Sequence, residues 1–252
     1  MTEKVTLITG ASAGLGVEFA RQLSTKGQRL VLAARRKERL DALATKLGDA
    51  RVVAMDLAEP GAVERLLNDI RANDEHVDCL INNAGFGQWG RFADQEPARI
   101  GEMIDLNVRT LTELCRAVVP PMIKHQQGRI LNVASTAAFQ PGPGMAVYFA
   151  TKAYVLSFTE ALHEELKAHG IRVSCLCPGP TRTEFGDVAG FGNHKLIDRL
   201  GMDAAPVVRL GLAALEKNKA VEVTGVLNKT GAALTRFVPR GTLRRIAGSI
   251  KY

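Results

Sequence analysis

Val5-Thr6-Leu7-Ile8-Thr9-Gly10-Ala11-Ser12-Ala13-Gly14-Leu15-Gly16 joins a short apolar run directly to a glycine-rich turn. The pattern that follows, residues 17–26, is helical. A strand that passes through glycines into a helix gathers free backbone N–H groups and the positive end of the helix dipole at one point, which favours a bound phosphate. The glycines let the main chain approach a pyrophosphate closely. Such a turn alone is an ordinary loop. Its place between the first strand and the first helix makes it a nucleotide-binding signal.

Outward from this segment, strand-length apolar runs recur at residues 30–34, 52–55, 77–81, 130–134 and 173–177, separated by longer helical patterns. Leu40, Leu43, Ala44 and Leu47 share one face of the second helical pattern, as do Val63, Leu66, Leu67 and Ile70 of the next. This alternation predicts a parallel sheet of right-handed βαβ units. Because the runs are apolar at nearly every position, helices should cover both faces. A helix over residues 98–119 is expected to end at Pro120-Pro121, and a longer one over 145–169 to close at Gly170. Residues 206–217 read as helix, and 220–226 as a seventh strand. Residues 186–202, rich in Gly, Phe and polar side chains, read as a lid over a substrate. No repeat or linker divides residues 1–252, so one α/β domain is expected.

The 252 residues are 46% hydrophobic and 23% charged, which excludes disordered and fibrous classes. No apolar run is long enough to span a bilayer, and the start lacks a signal-peptide layout, so a cytoplasmic location is expected. Cys79, Cys115, Cys175 and Cys177 show no zinc spacing and read as reduced core thiols. The net charge of +7 would suit an anionic partner. Much of the excess sits in Arg35-Arg36-Lys37 and in the tail, residues 230–252, at Arg236, Arg240, Arg244, Arg245 and Lys251. No aromatic-interleaved module accompanies it, so nucleic acid is not expected. In the tail Leu234, Phe237, Val238, Leu243, Ile246 and Ile250 alternate with the basic residues, but Pro239 and Gly241 break the helix. That favours a subunit contact or pocket wall over a membrane-surface helix.

Tyr148 and Lys152 stand four residues apart and therefore project from one face of the long helix. A nearby cation stabilises phenolate and lowers a tyrosine pKa, which suits proton exchange. Such pairs are common on solvated helices. Here Ser135 ends the fifth strand thirteen residues earlier, and Asn107 lies in the preceding helix. Together with Thr9-Gly10 through Gly16, Asn82-Asn83-Ala84-Gly85 and Pro178-Gly179, this set resembles the short-chain dehydrogenase/reductase family over about residues 5–226.

The resemblance implies a Rossmann-like doubly wound sheet of about seven strands and an Asn107-Ser135-Tyr148-Lys152 tetrad. It implies interconversion of a ketone or aldehyde and a secondary alcohol, with Tyr148 as general acid or base and Ser135 bound to the reacting oxygen. It further implies that Lys152 holds the nicotinamide ribose, that Asn107 holds a water, and that no metal is needed. By the same resemblance the cofactor contacts are Gly10, Ser12, Gly14, Leu15, Gly16, Asp56, Leu57, Asn83, Ala84, Gly85, Tyr148, Lys152, Pro178, Gly179, Thr181 and Thr183. Ala34 stands where an acidic residue would bind the ribose 2′-hydroxyl, and Arg35 and Arg36 follow with guanidinium groups suited to a 2′-phosphate. NADP(H) is therefore expected over NAD(H), although Ala13 stands where many NADP-dependent members carry a second basic residue.

Phe86, Trp89, Phe139, Met145, Phe149, Phe185 and Phe191 are expected around the nicotinamide and favour a bulky hydrophobic small-molecule substrate, Trp89 and Phe191 foremost because they stand in Gly-flanked loops, with core packing the alternative for Phe149. Arg91 and Lys195 keep a serine-like hydroxy acid or a 3-oxoacyl substrate open. A non-catalytic NADP sensor is the alternative of another class. A homodimer or homotetramer is expected.

Overall fold

The computed structural model describes residues 2–190 and 201–249. Seven parallel strands form one sheet in the order β3-β2-β1-β4-β5-β6-β7. They are β1 (Glu3–Thr9), β2 (Leu30–Ala34), β3 (Ala50–Ala54), β4 (Glu75–Asn82), β5 (Gly128–Val133), β6 (Ile171–Cys177) and β7 (Val221–Val223). β2 is buried at every residue because both of its faces are covered. β3, at the edge, is only half-buried. β7 is shorter than the expected 220–226, because Gly225 turns the chain into the helix Val226–Leu234.

Two apolar layers fix the helices. On one face Phe19 and Leu23 of α1 (Gly14–Ser24) and Leu40 and Leu43 of α2 (Lys37–Leu47) form a cluster with Ile8, Leu32, Val207, Leu212 and Leu215. On the other, Leu66 and Ile70 of α3 (Ala62–Ala72) pack with Leu7, Leu80, Leu114, Val118 and Val155. The pattern along each helix thus assigns it to a side of the sheet. All four cysteines are buried and free of disulfides.

The segment expected as one helix over residues 98–119 is three pieces. α4 (Pro97–Ile104) passes through a wider π turn, Asp105–Thr110, into α5 (Leu111–His125). Pro120 and Pro121 do not stop α5, which runs on to His125. Each proline removes a bond to the carbonyl four residues earlier. Arg116 and Ala117, which own those carbonyls, are exposed, as are both prolines, so the break falls on the outer face of the helix. Val118 and Met122 are buried and hold the helix down on either side of the break.

α6 (Ala146–Lys167) is the longest helix of the described residues and crosses the sheet beside β5 and β6. A buried chain of side chains fixes its height: Asn82 Nδ2 donates to Asn132 Oδ1 (2.9 Å), and Asn132 Nδ2 donates to Thr159 Oγ1 (3.0 Å). After β6 come α7 (Phe185–Ala189), α8 (Ala204–Glu216), α9 (Val226–Leu234) and α10 (Arg240–Ser249). The expected lid over 186–202 falls mostly outside the described residues, as do Phe191 and Lys195. Beyond β7, Val226, Leu227, Leu234, Phe237 and Ile246 are exposed. No helix among the described residues is long and apolar enough to cross a membrane.

Candidate active site

β1 lies between β2 and β4, so the chain reverses its direction across the sheet there and leaves a crevice at the strand ends. Thr9 and Asn83 tie its two lips together. Thr9 Oγ1 accepts hydrogen bonds from the Asn83 and Ala84 backbone N–H groups, both at 3.0 Å, and Asn83 Nδ2 donates back to Thr9 O at 3.0 Å. Gly10 takes a positive φ of 66°, and a Cβ there would lie 2.8 Å from the Ala84 backbone. At Gly16 a Cβ would lie 2.2 Å from the Gly10 carbonyl oxygen, so only glycine lets α1 close onto its own loop. Gly16 acts from behind the loop and does not line the cavity.

The crevice widens into a cavity of about 510 Å³. Gly10, Ser12, Gly14 and Leu15 form its floor, and Asn83, Ala84 and Gly85 one lip. Pro178, Gly179, Thr181 and Thr183 form the other lip. Thr183 sits across from Gly14, whose added Cβ would meet it at 3.2 Å. Arg35, Arg36, Asp56 and Leu57 line the end beside β2. Arg35 reaches Asp56 at 3.5 Å. Arg36 folds over the glycine loop, donating to Ser12 Oγ at 3.2 Å. An extended dinucleotide fits this donor set, with backbone N–H groups for a pyrophosphate and two guanidinium groups at the ribose end.

At the opposite end the tetrad converges. Ser135, just after β5, accepts from the Ala137 backbone N–H (3.1 Å), donates to the Pro178 carbonyl (3.5 Å), and lines the cavity together with Tyr148. Burial pushes the Tyr148 phenol up to about 12, against the opposing pull of the Ser135 hydroxyl. Lys152 Nζ donates to the Val133 carbonyl at 2.8 Å and lies 5.8 Å from the Tyr148 ring centre. Burial lowers its pKa to about 8, with Cys175 and Cys177 below it pulling the other way. The expectation that Lys152 lowers the tyrosine pKa is thus not met in this cavity, because desolvation dominates both groups.

Asn107 lies in the π turn, a feature often found at functional sites. Its Nδ2 donates to Phe86 O (2.9 Å) and Thr151 Oγ1 (3.1 Å), and its Oδ1 accepts from Phe86 N (3.1 Å). Thr151 in turn donates to the Tyr148 carbonyl at 2.7 Å. Asn107 therefore braces α6 against the Phe86 loop from behind the cavity. Thr151 was not singled out in the sequence, although its place between Tyr148 and Lys152 was the available signal.

Of the expected substrate residues, Phe86, Met145 and Phe185 line the cavity, and Phe149 joins them. Met145, Phe185 and Tyr148 converge on Gly87, where a Cβ would lie 2.8 to 3.2 Å from each. Trp89 and Phe139 do not line it. Trp89 packs on Gly144, whose added Cβ would meet the indole at 2.5 Å, and Phe139 packs against the core on the α3 side of the sheet. The Gly-flanked loop that favours Trp89 as a substrate contact instead lets its indole pack on Gly144, away from the cavity lining. Arg91 points into solvent at the surface, away from the cavity lining.

The short chain dehydrogenase profile matches residues 4–190, which hold both the glycine loop and the tetrad. The chain belongs to the short-chain dehydrogenase/reductase family. This oxidoreductase is 35% identical over 203 residues to serine 3-dehydrogenase of Agrobacterium fabrum, covering 80% of this chain and 81% of that one. A short-chain dehydrogenase from Sphingobium yanoikuyae solved in complex with NADPH superposes with a TM-score of 0.83 at 33% identity, covering 99% of this chain and 96% of the other. The bulky-bulky ketone specific alcohol dehydrogenase from Comamonas testosteroni superposes at 0.79 with 28% identity, covering 100% and 96%.

Proposed function

We infer that this oxidoreductase interconverts a bulky, hydrophobic ketone and its secondary alcohol with NADP(H). The observation that carries the reading is the convergence of Ser135 and the buried Tyr148 on one cavity, where the dinucleotide cleft meets a wall of Phe86, Met145, Phe149 and Phe185. Bound NADP(H) supplies or accepts the hydride. In reduction Tyr148, held as a neutral phenol by burial, donates its proton to the carbonyl oxygen, and Ser135 hydrogen-bonds the same oxygen. Lys152, held by the Val133 carbonyl, keeps donors free for the nicotinamide ribose. Asn107 and Thr151 fix α6 so that the phenol faces the cleft. Oxidation reverses the proton's path.

Arg35 and Arg36 at the ribose end, with no acid at Ala34, support the phosphorylated cofactor, as does the NADPH-bound Sphingobium relative. The match to the Comamonas ketone enzyme extends over the tail, whereas that to the serine dehydrogenase covers 80% of the chain. The start of α9, just ahead of the tail, also approaches the site: Asn228 abuts Gly179, where a Cβ would lie 2.1 Å from its Nδ2. These observations favour the bulky ketone over a serine-like acid. The tail is read as a subunit contact or pocket wall rather than a membrane-surface helix, because its helices are separated around Pro239. The chain is read as cytoplasmic and homo-oligomeric. NADPH oxidation measured with an aryl ketone, a steroid ketone, a 3-oxoacyl thioester and, in the reverse direction, serine tests the reading. A higher kcat/KM on the bulky ketones is expected. A wide preference for serine overturns the substrate class, and no turnover on any carbonyl would leave an NADP sensor.

A further inference from the structure

Glu184 precedes α7 and lies in the lining of the dinucleotide cavity, on the lip opposite Arg36. Its carboxylate crosses the mouth. Oε2 accepts from Arg36 Nη1 at 2.9 Å, and Arg39 Nη1 lies 2.6 and 2.8 Å from the two oxygens. The same Arg36 donates through Nε to Ser12 of the glycine loop. These guanidinium groups hold the Glu184 carboxyl below its usual pKa, Arg36 contributing most. The result is an anion seated on a guanidinium that faces the ribose end of the cleft. Arg35, by contrast, has its partner Asp56 at 3.5 Å on its own lip, outside this clasp.

We propose that Glu184 is a cofactor-discriminating residue whose carboxylate competes with the 2′-phosphate of NADP(H) for Arg36. The proposal rests on the NADP(H) reading above and deepens it. Arg36 gives Nη1 to Glu184 and its Nε and Nη2 to Ser12, so a phosphate that takes the guanidinium must displace one of these partners, and it meets the carboxylate's like charge beside it. A cofactor with a bare 2′-hydroxyl leaves the Arg36–Glu184 pair intact. Only the phosphorylated one must displace it and sit beside the remaining negative charge. Glu184 therefore weakens NADP(H) binding selectively and narrows the preference that Arg35 and Arg36 create. The pair is about half exposed, so the effect is that of a solvated ion pair rather than a buried one.

The test is equilibrium binding to the wild type, Glu184→Gln and Glu184→Ala, followed by fluorescence for NADPH and NADH, and by competition for adenosine 2′,5′-bisphosphate and 5′-AMP. Glutamine keeps the side chain's size while removing its charge, and alanine repeats the test without the amide. Both variants are expected to bind NADPH and the bisphosphate about two- to tenfold tighter, the span of one or two solvated ion pairs, with NADH and 5′-AMP changed less than about twofold. Weaker or unchanged NADPH binding overturns the proposal and makes Glu184 a support that orients Arg36. An equal gain for NADH overturns it as well, since the competition would not involve the phosphate. If the wild type itself binds NADH more tightly than NADPH, the NADP(H) reading fails instead, whatever the variants do.

Discussion

The two ends of the cavity are built differently. At the catalytic end every functional group hangs from a buried regular element: Ser135 from the end of β5, Tyr148 and Lys152 from α6, with Asn107 and Thr151 bonded behind them. At the ribose end Arg35, Arg36 and Glu184 stand on loops and helix starts and are substantially exposed. A buried, hydrogen-bonded group cannot move without leaving partners unsatisfied, so its loss costs much. Exposed ion pairs exchange partners at little cost, so that end can tune affinity without endangering the fold.

The largest effect should therefore follow from the catalytic end. Lys152→Ala is expected to lower kcat/KM by about a thousandfold and to weaken NADPH binding in the same variant, because the ammonium holds the ribose and its removal leaves the Val133 carbonyl unpaired beside Tyr148. Unchanged NADPH affinity would break the contrast, by making Lys152 purely structural. The same residue sets a pH limb. Burial brings its pKa from 10.5 to about 8, so the ammonium is present below about pH 8 and is lost as pH rises through it. NADPH affinity in the wild type should hold at neutral pH and fall above that value, and Lys152→Arg, which stays charged, should abolish the fall. Arg35→Asp comes next. It should move the NADPH-to-NADH preference by about ten- to a hundredfold, chiefly through cofactor KM, since a phosphate-binding cation becomes an acid.

The smallest effect is on stability. Gly16→Ala places a methyl group against the Gly10 carbonyl, a backbone atom that has no rotamer to yield. Overpacking of this kind costs about 1 to 3 kcal/mol, which for a domain of this size lowers Tm by roughly 2 to 4 °C per kcal/mol. Calorimetry that finds no loss would mean the loop relaxes freely and does not hold the pyrophosphate cradle rigid.

The same contrast explains what was legible in the sequence. Strand runs, the glycine loop and the Tyr148–Lys152 spacing are periodic or local, and each has its counterpart in the fold. The π turn that carries Asn107 leaves only a five-residue step from Leu106 to Leu111 in the apolar pattern, which a reading of residues 98–119 as one α-helix passes over. Pro120-Pro121 reads as a stop because a sequence does not show that both prolines fall on the exposed face of the helix while Val118 and Met122 anchor it. Trp89 and Phe139 look like Phe86 and Phe185, all being aromatics in or near loops, and only the approach of Gly144 or of the core separates them. Glu184 meets Arg36 and Arg39 across nearly 150 residues of chain, a pairing that no local spacing encodes.

The central claim is that the Tyr148 phenol is the proton donor at the buried end of an NADP(H) cleft. Tyr148→Phe removes that hydroxyl and keeps the ring against Phe185, whose centroid lies 5.3 Å away. Reduction of a bulky ketone by this variant under single-turnover conditions, with NADPH binding measured in parallel, tests it most directly. The account predicts a rate lower by about two to four orders of magnitude with NADPH affinity preserved, and a rate close to that of the wild type would contradict it.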